Sequence, residues 1–343
     1  MTVKFRLAAL LFFIFVLGAQ AQTARLSVQG NRFYMDGSHF DMLGLRVASA
    51  SQSDSLTSLL IDQLDDYKSV GLNTISVYLQ GSSGGFSDPF SPDGKELDKD
   101  HFRRLSAIVE ACRQRPMVVI AGIFYQRPFS KGNEHIRRLQ DKEAVYNAVK
   151  TVTNLLKPYR NVIINIANEH NSSYYKGFPE FDFSKPENII AMCRVVKEID
   201  PDRIAGGGGY HDESNVIIGK SEYADVLLFD TFHDDVKNDQ NSGWHYDYFR
   251  KQGVPDKPMV NVEIFGAWTR VAMPPGVFTD EVKKIHLAEI DEAQKRPGLS
   301  VCLHSNPWCQ GPADGYPTRY ELGGMGTEDD PGIRWWFEYA KSK

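Results

Sequence analysis

Cysteine is scarce in this chain, which has only 4 cysteines among 343 residues. So low a count in so long a chain excludes a small fold that depends on a network of disulfides. Cys302 and Cys309 bracket the stretch LHSNPW and are spaced to close a short loop, whereas Cys112 and Cys193 lie in helix-like stretches. One disulfide between residues 302 and 309 is therefore an open alternative to four free thiols.

Clustered positive charge is also lacking. Lysine and arginine number 39 against 44 aspartates and glutamates, and the mature chain shows no basic stretch. Proteins that bind nucleic acid usually carry such a basic patch, so we expect no nucleic-acid partner. The composition, 42% hydrophobic and 24% charged, is instead typical of a globular fold with a sizeable core.

Motifs for binding phosphate and metal ions are missing too. The stretch GGGGYHD, residues 206–212, lacks the spacing and the lysine of a phosphate-binding loop. We interpret it as a loop after the fifth strand that approaches a ligand closely, with Tyr210 and His211 at its rim. HDDVKNDQN, residues 233–241, lacks calcium-loop spacing, and no His-x-His follows the first strand. We therefore expect neither a metal nor any other cofactor.

A strongly apolar run lies at the N-terminus, and it is too short for a comfortable membrane span. Lys4 and Arg6 precede the apolar segment Leu7–Leu17, and Ala19-Gln20-Ala21 follows it. This order predicts a secretory signal peptide over residues 1–21, with an uncleaved anchor as the alternative. Its removal takes away two positive charges and moves the formal net charge from −5 to −7. We expect a secreted or periplasmic protein that has no membrane contact after cleavage.

Short apolar strands alternate with helix-like segments over the rest of the chain. RLSVQGNRFYMDGSHFDMLGLRV, residues 25–47, indicates a hairpin that leads into a first buried strand. Seven strand-like segments follow, separated by segments with helical spacing: LNTISVYL, MVVIAGIF, VIINIA, RIAGGGG, DVLLFDTF, MVNVEIF and LSVCLHS. Apolar strands that alternate with helices indicate a parallel sheet. Eight such units predict one α/β domain over residues 22–343, a single (β/α)8 TIM barrel with an N-terminal β-hairpin.

The competing fold is a doubly wound open sheet. Such a sheet usually has fewer strands and carries a glycine fingerprint after the first of them. No fingerprint of this kind follows the first strand here, and no linker or repeat indicates a second domain. The barrel is therefore the better prediction.

Polar side chains end two of the predicted barrel strands. The fourth strand runs through NVIINIANEHN and ends in Asn168 and Glu169, while Glu263 lies near the end of the seventh, in PMVNVEIFGAW. Reacting groups in such barrels lie at the carboxyl ends of the strands, and paired carboxylates are what glycoside hydrolysis needs. The ordinary alternatives are a helix cap or an arginine pair for Glu169, and a buried ion pair for Glu263.

The sequence resembles the clan A glycoside hydrolases, and most closely the family-five cellulase and mannanase group. The resemblance covers nearly the whole mature chain and rests on GNRFYMDGSHFDMLGLRV, GLNTISVY, NIANEHN and VNVEIFG. It implies that Glu169 is the catalytic acid/base and that Glu263 is the nucleophile. It also implies that Asn168 holds the 2-hydroxyl of the sugar.

Strands two and six depart from the pattern of that family. Ser76 stands where the family usually has an arginine on strand two. Arg46, on strand one, is a candidate to supply that guanidinium, with a buried structural ion pair as the alternative. After strand six the chain keeps a histidine, His233, but has Asp235 where a tyrosine would orient the nucleophile.

Strands three and eight depart from the family pattern as well. The family's strand-three histidine is missing from GIFYQRP, where Tyr125 is available. In place of the strand-eight tryptophan, His304 lies near the position and Trp308 a little beyond it. The aromatic residues on the predicted loops after strands six to eight are candidates for stacking on sugar rings, with loop packing as the alternative: Trp244, Tyr246, Trp268 and Trp308.

Together these patterns predict a secreted, retaining glycoside hydrolase that cleaves β-glycosidic bonds in a polysaccharide or oligosaccharide by double displacement. The predicted substrate-binding residues are Asn168, Arg46, Tyr125, His211, His233, Trp268 and Trp308. The alternative from another class is a carbohydrate-binding barrel that has lost catalysis, because several of the family's orienting residues are missing.

Overall fold

The computed structural model describes residues 24–82, 87–125, 138–178, 180–232, 239–265, 274–305, 308–311 and 315–343. A small antiparallel sheet comes first, formed by β1 (Leu26–Gln29), β2 (Arg32–Met35) and β3 (Ser38–Phe40). Eight parallel strands then form a closed barrel: β4 (Leu43–Arg46), β5 (Thr74–Tyr78), β6 (Val118–Phe124), β7 (Val162–Ala167), β8 (Ile204–Gly207), β9 (Val226–Asp230), β10 (Met259–Glu263) and β11 (Leu299–Leu303). The strands follow one another around the barrel in chain order, and β11 pairs with β4 to close it.

The described helices lie between and after the barrel strands: α1 (Asp54–Ile61), α2 (Leu64–Ser69), α3 (Lys99–Arg113), α4 (Lys142–Leu156), α5 (Pro186–Ile199), α6 (Asp212–Lys220), α7 (Ser242–Lys251), α8 (Asp280–Lys295) and α9 (Arg334–Lys341). In that part of the chain no helix is long and apolar enough to cross a membrane. The alternation of strands and helices confirms the predicted (β/α)8 barrel, with the predicted hairpin extended by a third strand.

Polar side chains fix where several of these helices begin. Ser53, Asp98, Asp141, Asn241 and Thr279 each accept a hydrogen bond from a backbone N–H in the first turn of α1, α3, α4, α7 and α8 respectively. Such caps satisfy donors that the helix itself leaves without partners. Each of these caps therefore marks the end of a loop that leaves the carboxyl end of a barrel strand.

The small sheet closes the amino-terminal end of the barrel. Leu26, Phe33 and Met35 from β1 and β2 belong to the same buried cluster as the inward-facing barrel residues, such as Ile120 and Ile163. Because apolar burial is the main favourable term in folding, this packing seals one end of the barrel. The opposite end, where the strands reach their carboxyl termini, carries the polar side chains.

All four cysteines are buried and free. Cys302 lies on β11 inside the barrel, whereas the Cys309 thiol contacts the carbonyl oxygen of Ser305 at 3.2 Å. The alternative of a 302–309 disulfide is therefore not what the structure shows. Burial raises the pKa of both thiols to about 12, so they stay protonated and inert at neutral pH.

Candidate active site

Polar and charged side chains from five strands meet at the carboxyl end of the barrel. They are Arg46 on β4, Asn168 after β7, Asp230 on β9, Glu263 on β10 and His304 after β11. Sequence separation between them reaches more than 200 residues, yet the strand order brings them together. This is the end of a TIM barrel at which active sites are found.

Arg46 is fully buried and connects the other groups. Its Nη1 lies 2.7 Å from Glu263 Oε2 and 4.0 Å from Asp230 Oδ1. Its Nη2 donates a hydrogen bond to Asn168 Oδ1 at 2.8 Å, and its Nε donates to Gln310 Oε1 at 2.7 Å. Arg46 on β4, the first barrel strand, thus contacts Glu263 on β10, the seventh. The neighbouring residue on β5, the second barrel strand, is Ser76.

The charge of Arg46 is stabilised by what surrounds it. Burial alone lowers the pKa of Arg46, but the carboxylate of Glu263 raises it, as do Tyr78 and other neighbours, and the net pKa lies well above the ordinary value. The guanidinium lies 4.8 Å from the centre of the Tyr78 ring and 6.0 Å from that of Tyr125, a cation–π arrangement. Arg46 is therefore a fixed positive charge at the barrel mouth.

Glu263 sits where β10 shifts its register against β9. Asn261 pairs with Phe229, whereas Glu263 pairs with Asp230, so one residue bulges between them. The Asn261 side chain holds this irregular segment, because its Oδ1 accepts a hydrogen bond from the Glu263 N–H at 3.0 Å. The Glu263 side chain is 13% exposed, and its Oε1 lies 3.1 Å from His304 Nδ1, although their orientation does not suit a hydrogen bond. A bulge of this kind re-aims a side chain.

Asn168 and Glu169 form the tip of the fourth barrel strand. The Asn168 amide uses both of its ends, since Oδ1 accepts from Arg46 and Nδ2 donates to Glu169 Oε2 at 3.2 Å. Tyr175 Oη donates to the carbonyl oxygen of Asn168 at 2.8 Å. Glu169 has a positive φ of 42°, a conformation that is uncommon for a residue with a side chain. Backbone strain of this sort is held in place only by surrounding contacts.

Asp230 is a third acid in the site, and the sequence analysis missed it. It ends β9, is buried, and has no hydrogen-bond partner for its Oδ1 among the described residues. Burial raises the pKa of Asp230 well above its usual value, and the charges of Glu263 and Glu169 raise it further, while Arg46 lowers it. Both candidate catalytic glutamates therefore lie close enough to affect the same buried carboxyl group.

Two further residues predicted to bind substrate lie in described segments. Tyr125 follows β6, donates its backbone N–H to Gln80 at 2.6 Å and packs edge-on against Tyr78. It therefore belongs to the wall of the site beside Arg46. His211 precedes α6 with a ring that is 59% exposed and lies 3.5 Å from the carboxylate of Glu213. The structure thus leaves His211 outside the buried polar cluster.

Trp308 does not fit the predicted role in stacking on a sugar. The residue is only 2% exposed, and its indole N–H donates to the carbonyl oxygen of Glu321 at 2.7 Å. Gly276 and Gly323 lie so close to the ring that neither has room for a side chain, and the Arg319 guanidinium lies 5.0 Å from its centre. These contacts and the low exposure of the ring favour the loop-packing alternative for Trp308.

The aromatic residues predicted on the loop after strand six lie in a helix instead. α7 begins at Ser242, so Trp244 and Tyr246 are helical. Tyr246 is buried and donates its hydroxyl to the carbonyl oxygen of Pro297, whereas Trp244 is exposed and stacks on Tyr248 at 5.3 Å. The remaining predicted site residues, His233 and Trp268, lie outside the described part of the chain.

The glycines of the strand-five segment are needed for packing against protein. A side chain at Gly206 or Gly208 would collide with the backbone of β9, and one at Gly209 would collide with Asn171. This close approach is a different reason for glycine than the predicted approach to a ligand. Within the described segments, no group of three or more His, Cys, Asp or Glu side chains is arranged to hold a metal ion.

Another buried carboxyl group, that of Glu289, is linked through Ser242 to the Asn261 side chain beside Glu263. Glu289, on α8, accepts a hydrogen bond from the backbone N–H of Ser242 at 3.1 Å, and Ser242 Oγ in turn accepts from Asn261 Nδ2 at 2.7 Å. Burial raises the pKa of Glu289 to about 7, although the hydrogen bonds from Ser242 lower it. The folded protein therefore keeps this proton to a higher pH than the unfolded chain does.

Glu289→Gln should change how stability depends on pH. Between the unfolded and folded pKa values the folded state binds more protons, so the free energy of unfolding falls as pH rises toward about 7, by on the order of 1–3 kcal/mol. The glutamine variant avoids this loss, and its Tm relative to wild type should be higher at about pH 8 than at about pH 5. Glu281→Gln, at the exposed start of the same helix, is the control. A Tm difference that is equal at both pH values would show that Glu289 does not titrate in this range.

Comparison with known proteins finds similar folds among solved structures. No protein-family model matches the sequence, and a search of curated proteins finds no match. Among solved structures, a glycoside hydrolase of family 5 from Bacteroides vulgatus ATCC 8482 has a TM-score of 0.62 at 13% identity, over 86% of this chain and 65% of that longer chain. The β-mannanase from the blue mussel Mytilus edulis has a TM-score of 0.59 at 16% identity, over 94% and 97% of the two chains.

The endo-1,4-β-D-mannanase from Thermotoga petrophila RKU-1 has a TM-score of 0.55 at 16% identity, over 89% of this chain and all of that one. Identities of this size are informative about architecture, not about activity. The chain is thus similar in fold to a glycoside hydrolase of family 5 and to mannanases, at sequence identities of 13% and 16%.

Proposed function

We propose that this protein is a secreted, retaining β-glycoside hydrolase in which Glu263 is the nucleophile and Glu169 is the acid/base. Two observations support the proposal. The fold is shared with solved glycoside hydrolases and mannanases. Glu169 follows the fourth barrel strand and Glu263 ends the seventh, at the end where barrel active sites lie.

The observation that carries the proposal is the position of Arg46. One guanidinium binds both Glu263 Oε2 and Asn168 Oδ1, and Asn168 in turn binds Glu169. The chain of contacts links the two glutamates through one buried cation. Perturbed buried charge clusters occur most often at functional sites, and this one lies at the barrel mouth, which favours catalysis over the alternative of an inactive binding protein.

In the first step the Glu263 carboxylate attacks the anomeric carbon and forms a glycosyl ester. The nucleophile must be ionised, and the Arg46 guanidinium at 2.7 Å stabilises that form. Glu169 donates its proton to the departing oxygen in the same step. In the second step Glu169, now a carboxylate, takes a proton from water, and that water cleaves the ester with retention of configuration.

Asn168 is placed to assist both steps. Its Nδ2 has two hydrogens, of which one is donated to Glu169 in the free protein. The other is available to the sugar 2-hydroxyl, a contact that strengthens as positive charge develops on the ring. The bond from Arg46 to Asn168 Oδ1 fixes which end of the amide faces the substrate.

The substrate class we propose is a β-linked polysaccharide or oligosaccharide. Because two of the structurally similar proteins are mannanases, β-mannans and β-mannosides come first in a panel that also contains β-glucans and β-glucosides. Wild type and Glu263→Ala should be compared on this panel with chromogenic and reducing-end assays. We expect wild type to turn over at least one substrate and Glu263→Ala to be inactive on it. Binding of a glycan without turnover by wild type would instead identify a binding protein.

Glu169→Gln should separate the acid step from the rest of the reaction. The amide cannot donate the proton that a poor leaving group needs, so natural glycosides should react about 10²–10⁴-fold more slowly. Glycosides with an activated leaving group need little protonation, and we expect them to keep most of the rate of glycosylation. For these substrates the alkaline limb of the pH–rate profile should disappear. A profile that keeps its alkaline limb would point to a different acid.

His170 is the neighbouring histidine that would be tested first as such an acid. Its Nδ1 lies 2.9 Å from the carbonyl oxygen of Phe183 in a fully buried position. Burial lowers the pKa of His170 to about 4, so the ring is neutral over the working range. This geometry favours Glu169 as the proton donor.

A further inference from the structure

Two carboxyl groups, Glu263 and Asp230, lie beside the Arg46 guanidinium, and a third, Glu169, is linked to it through Asn168. The reaction described above uses only Glu263 and Glu169. Asp230 Oδ1 lies 4.0 Å from Arg46 Nη1, and Asp230 pairs with Glu263 across neighbouring strands. In the described residues its Oδ1 accepts no hydrogen bond, and the side chain is 4% exposed. A buried polar atom without a partner needs a reason.

The surroundings of Asp230 hold one positive charge and several acidic groups. Among the described residues, the titratable side chains that face it are Arg46 on β4, Tyr78 on β5, Glu169 and Tyr175 after β7, Tyr210 after β8, Glu263 on β10 and Cys302 on β11. Only the guanidinium favours an ionised Asp230. It lies closer to Glu263, at 2.7 Å rather than 4.0 Å, and attraction between charges falls with distance.

The hydrogen-bond pattern also favours a neutral Asp230 beside an ionised Glu263. A buried carboxylate is normally stabilised by several donors. Glu263 Oε2 has the guanidinium at 2.7 Å, whereas Asp230 Oδ1 accepts no hydrogen bond from the described residues. Burial, followed by the charges of Glu263 and Glu169, raises the pKa of Asp230. The neutral acid is therefore the form that this position can hold while Glu263 is ionised.

We propose that Asp230 holds a proton in the free protein, so that Glu263 alone carries the negative charge opposite Arg46, and that Asp230 releases this proton when the charge of Glu263 is removed. In the reaction, that removal is the formation of the glycosyl ester on Glu263. The O–H bond of Asp230 then breaks, its proton passes to water at the barrel mouth, and its carboxylate becomes the partner of Arg46. Asp230 is thus a positioning residue that keeps the guanidinium balanced through both steps.

The part of this inference that concerns turnover rests on the proposed function, whereas the state of the free protein does not. Glu263→Gln imitates the loss of charge without substrate, so a thermodynamic cycle tests the exchange directly. We compare Tm for wild type, Asp230→Asn, Glu263→Gln and the double variant at about pH 8. If Glu263→Gln does not fold, Glu263→Ala removes the same charge and replaces it in the cycle.

We expect the sign of the Asp230→Asn effect to depend on residue 263. In the wild-type background the substitution replaces one neutral side chain by another, so Tm should stay the same or rise. In the Glu263→Gln background it removes the carboxylate on which Arg46 then depends, so Tm should fall by about 2–4 °C or more. An equal fall in both backgrounds would overturn the proposal, because it would show that Asp230 is already ionised beside Glu263.

Asp200→Asn is the matched control. Asp200 is also a buried acid, but its carboxylate contacts Arg160 at 3.0 Å and Arg203 at 3.3 Å, away from the barrel mouth. We expect this substitution to lower Tm by the same amount with either residue at position 263. A dependence on residue 263 for both aspartates would mean that the cycle reports general destabilisation, and it would overturn the assignment to Asp230.

Infrared difference spectra are a second test, because they detect whether the carboxyl group of Asp230 is protonated. A purely structural role for Asp230 would not make this signal depend on residue 263. The spectrum of wild type minus Asp230→Asn, at about pH 7, should contain the carbonyl stretch of a protonated carboxyl group. The same difference measured in the Glu263→Gln background should lack it. A wild-type difference without that band overturns the proposal. Because neither test needs turnover, a protein that hydrolyses nothing would refute the proposed function and leave this result intact.

Discussion

Replacing Glu263 with glycine should abolish hydrolysis and create an enzyme that accepts azide. We expect kcat/KM to fall by on the order of 10⁵-fold, as the loss of a nucleophile does in other hydrolases that form a covalent intermediate. Arg46 and His304 lie within 3.1 Å of the carboxylate that is removed, so the vacated space faces a fixed positive charge and should attract a small anion. Azide in that space should attack an activated glycoside and give a glycosyl azide of inverted configuration.

Glu263→Gln is the matched control for this experiment. Its amide fills the space and cannot attack, so it should be as inactive as the glycine variant but should not respond to azide. Product configuration by proton NMR completes the test. If the glycine variant hydrolysed natural glycosides at the wild-type rate, Glu263 would not be the nucleophile.

Arg46→Met should lower both stability and activity, with a change in pH dependence that identifies the role of the guanidinium. The methionine keeps part of the apolar stem but leaves Glu263 and Asn168 without their charged partner. Removing one member of a buried ion pair costs about 3–5 kcal/mol of stability, and the loss of an ionic contact to the nucleophile should lower kcat/KM by about 10²–10³-fold. The acidic limb of the pH–rate profile should move to higher pH, because Glu263 is then harder to ionise.

Arg203→Met separates the two effects. Arg203 is also fully buried, but it donates to backbone carbonyl oxygens of Leu156, Tyr159 and Val162, at the other end of the barrel. This variant should lose stability and keep the wild-type pH–rate profile, measured well below its Tm. An Arg46→Met enzyme whose profile also stayed in place would show that Arg46 is structural only.

The barrel and its polar mouth were accessible from sequence because both follow from local patterns. Apolar strands that alternate with helical segments predict the eight units, and polar residues at the tips of such strands predict where chemistry lies. Asn168 and Glu169 stand out because they end an apolar run. Arg46 stands out because a charge within a buried strand needs a partner. Ser76 occupies the position where the resembling family usually has an arginine, so another residue had to supply the positive charge.

The residues that sequence reasoning missed depend on three-dimensional packing. Asp230 ends an apolar strand just as Glu169 follows one, so the same rule applied to β9 would have found it. Asn261 gave a similar signal, as a polar residue two positions before Glu263. Gln310 gave none, because a loop glutamine has no periodicity and its contact with Arg46 spans 264 positions.

Aromatic side chains were the least predictable part of the site. A tryptophan on a loop near the barrel mouth has the same sequence signature whether it faces a sugar or the protein. Trp308 packs against the protein because Gly276 and Gly323 lie against its ring, and neither residue is a neighbour of Trp308 in the sequence. Trp244 and Tyr246 were predicted on a loop, but Asn241 caps α7 before both of them, so they lie in the helix.

A trapped covalent intermediate would test the double-displacement mechanism most directly. Wild type should be incubated with 2,4-dinitrophenyl 2-deoxy-2-fluoro-β-mannosides and β-glucosides, as monosaccharides and disaccharides, and then analysed by intact-mass and peptide mass spectrometry. The fluorine slows both steps, while the good leaving group still allows the first one. We predict a single glycosyl adduct, carried by Glu263 and absent from Glu263→Gln. An adduct on Glu169 or Asp230, or natural turnover that gives a product of inverted configuration without any adduct, would contradict the mechanism.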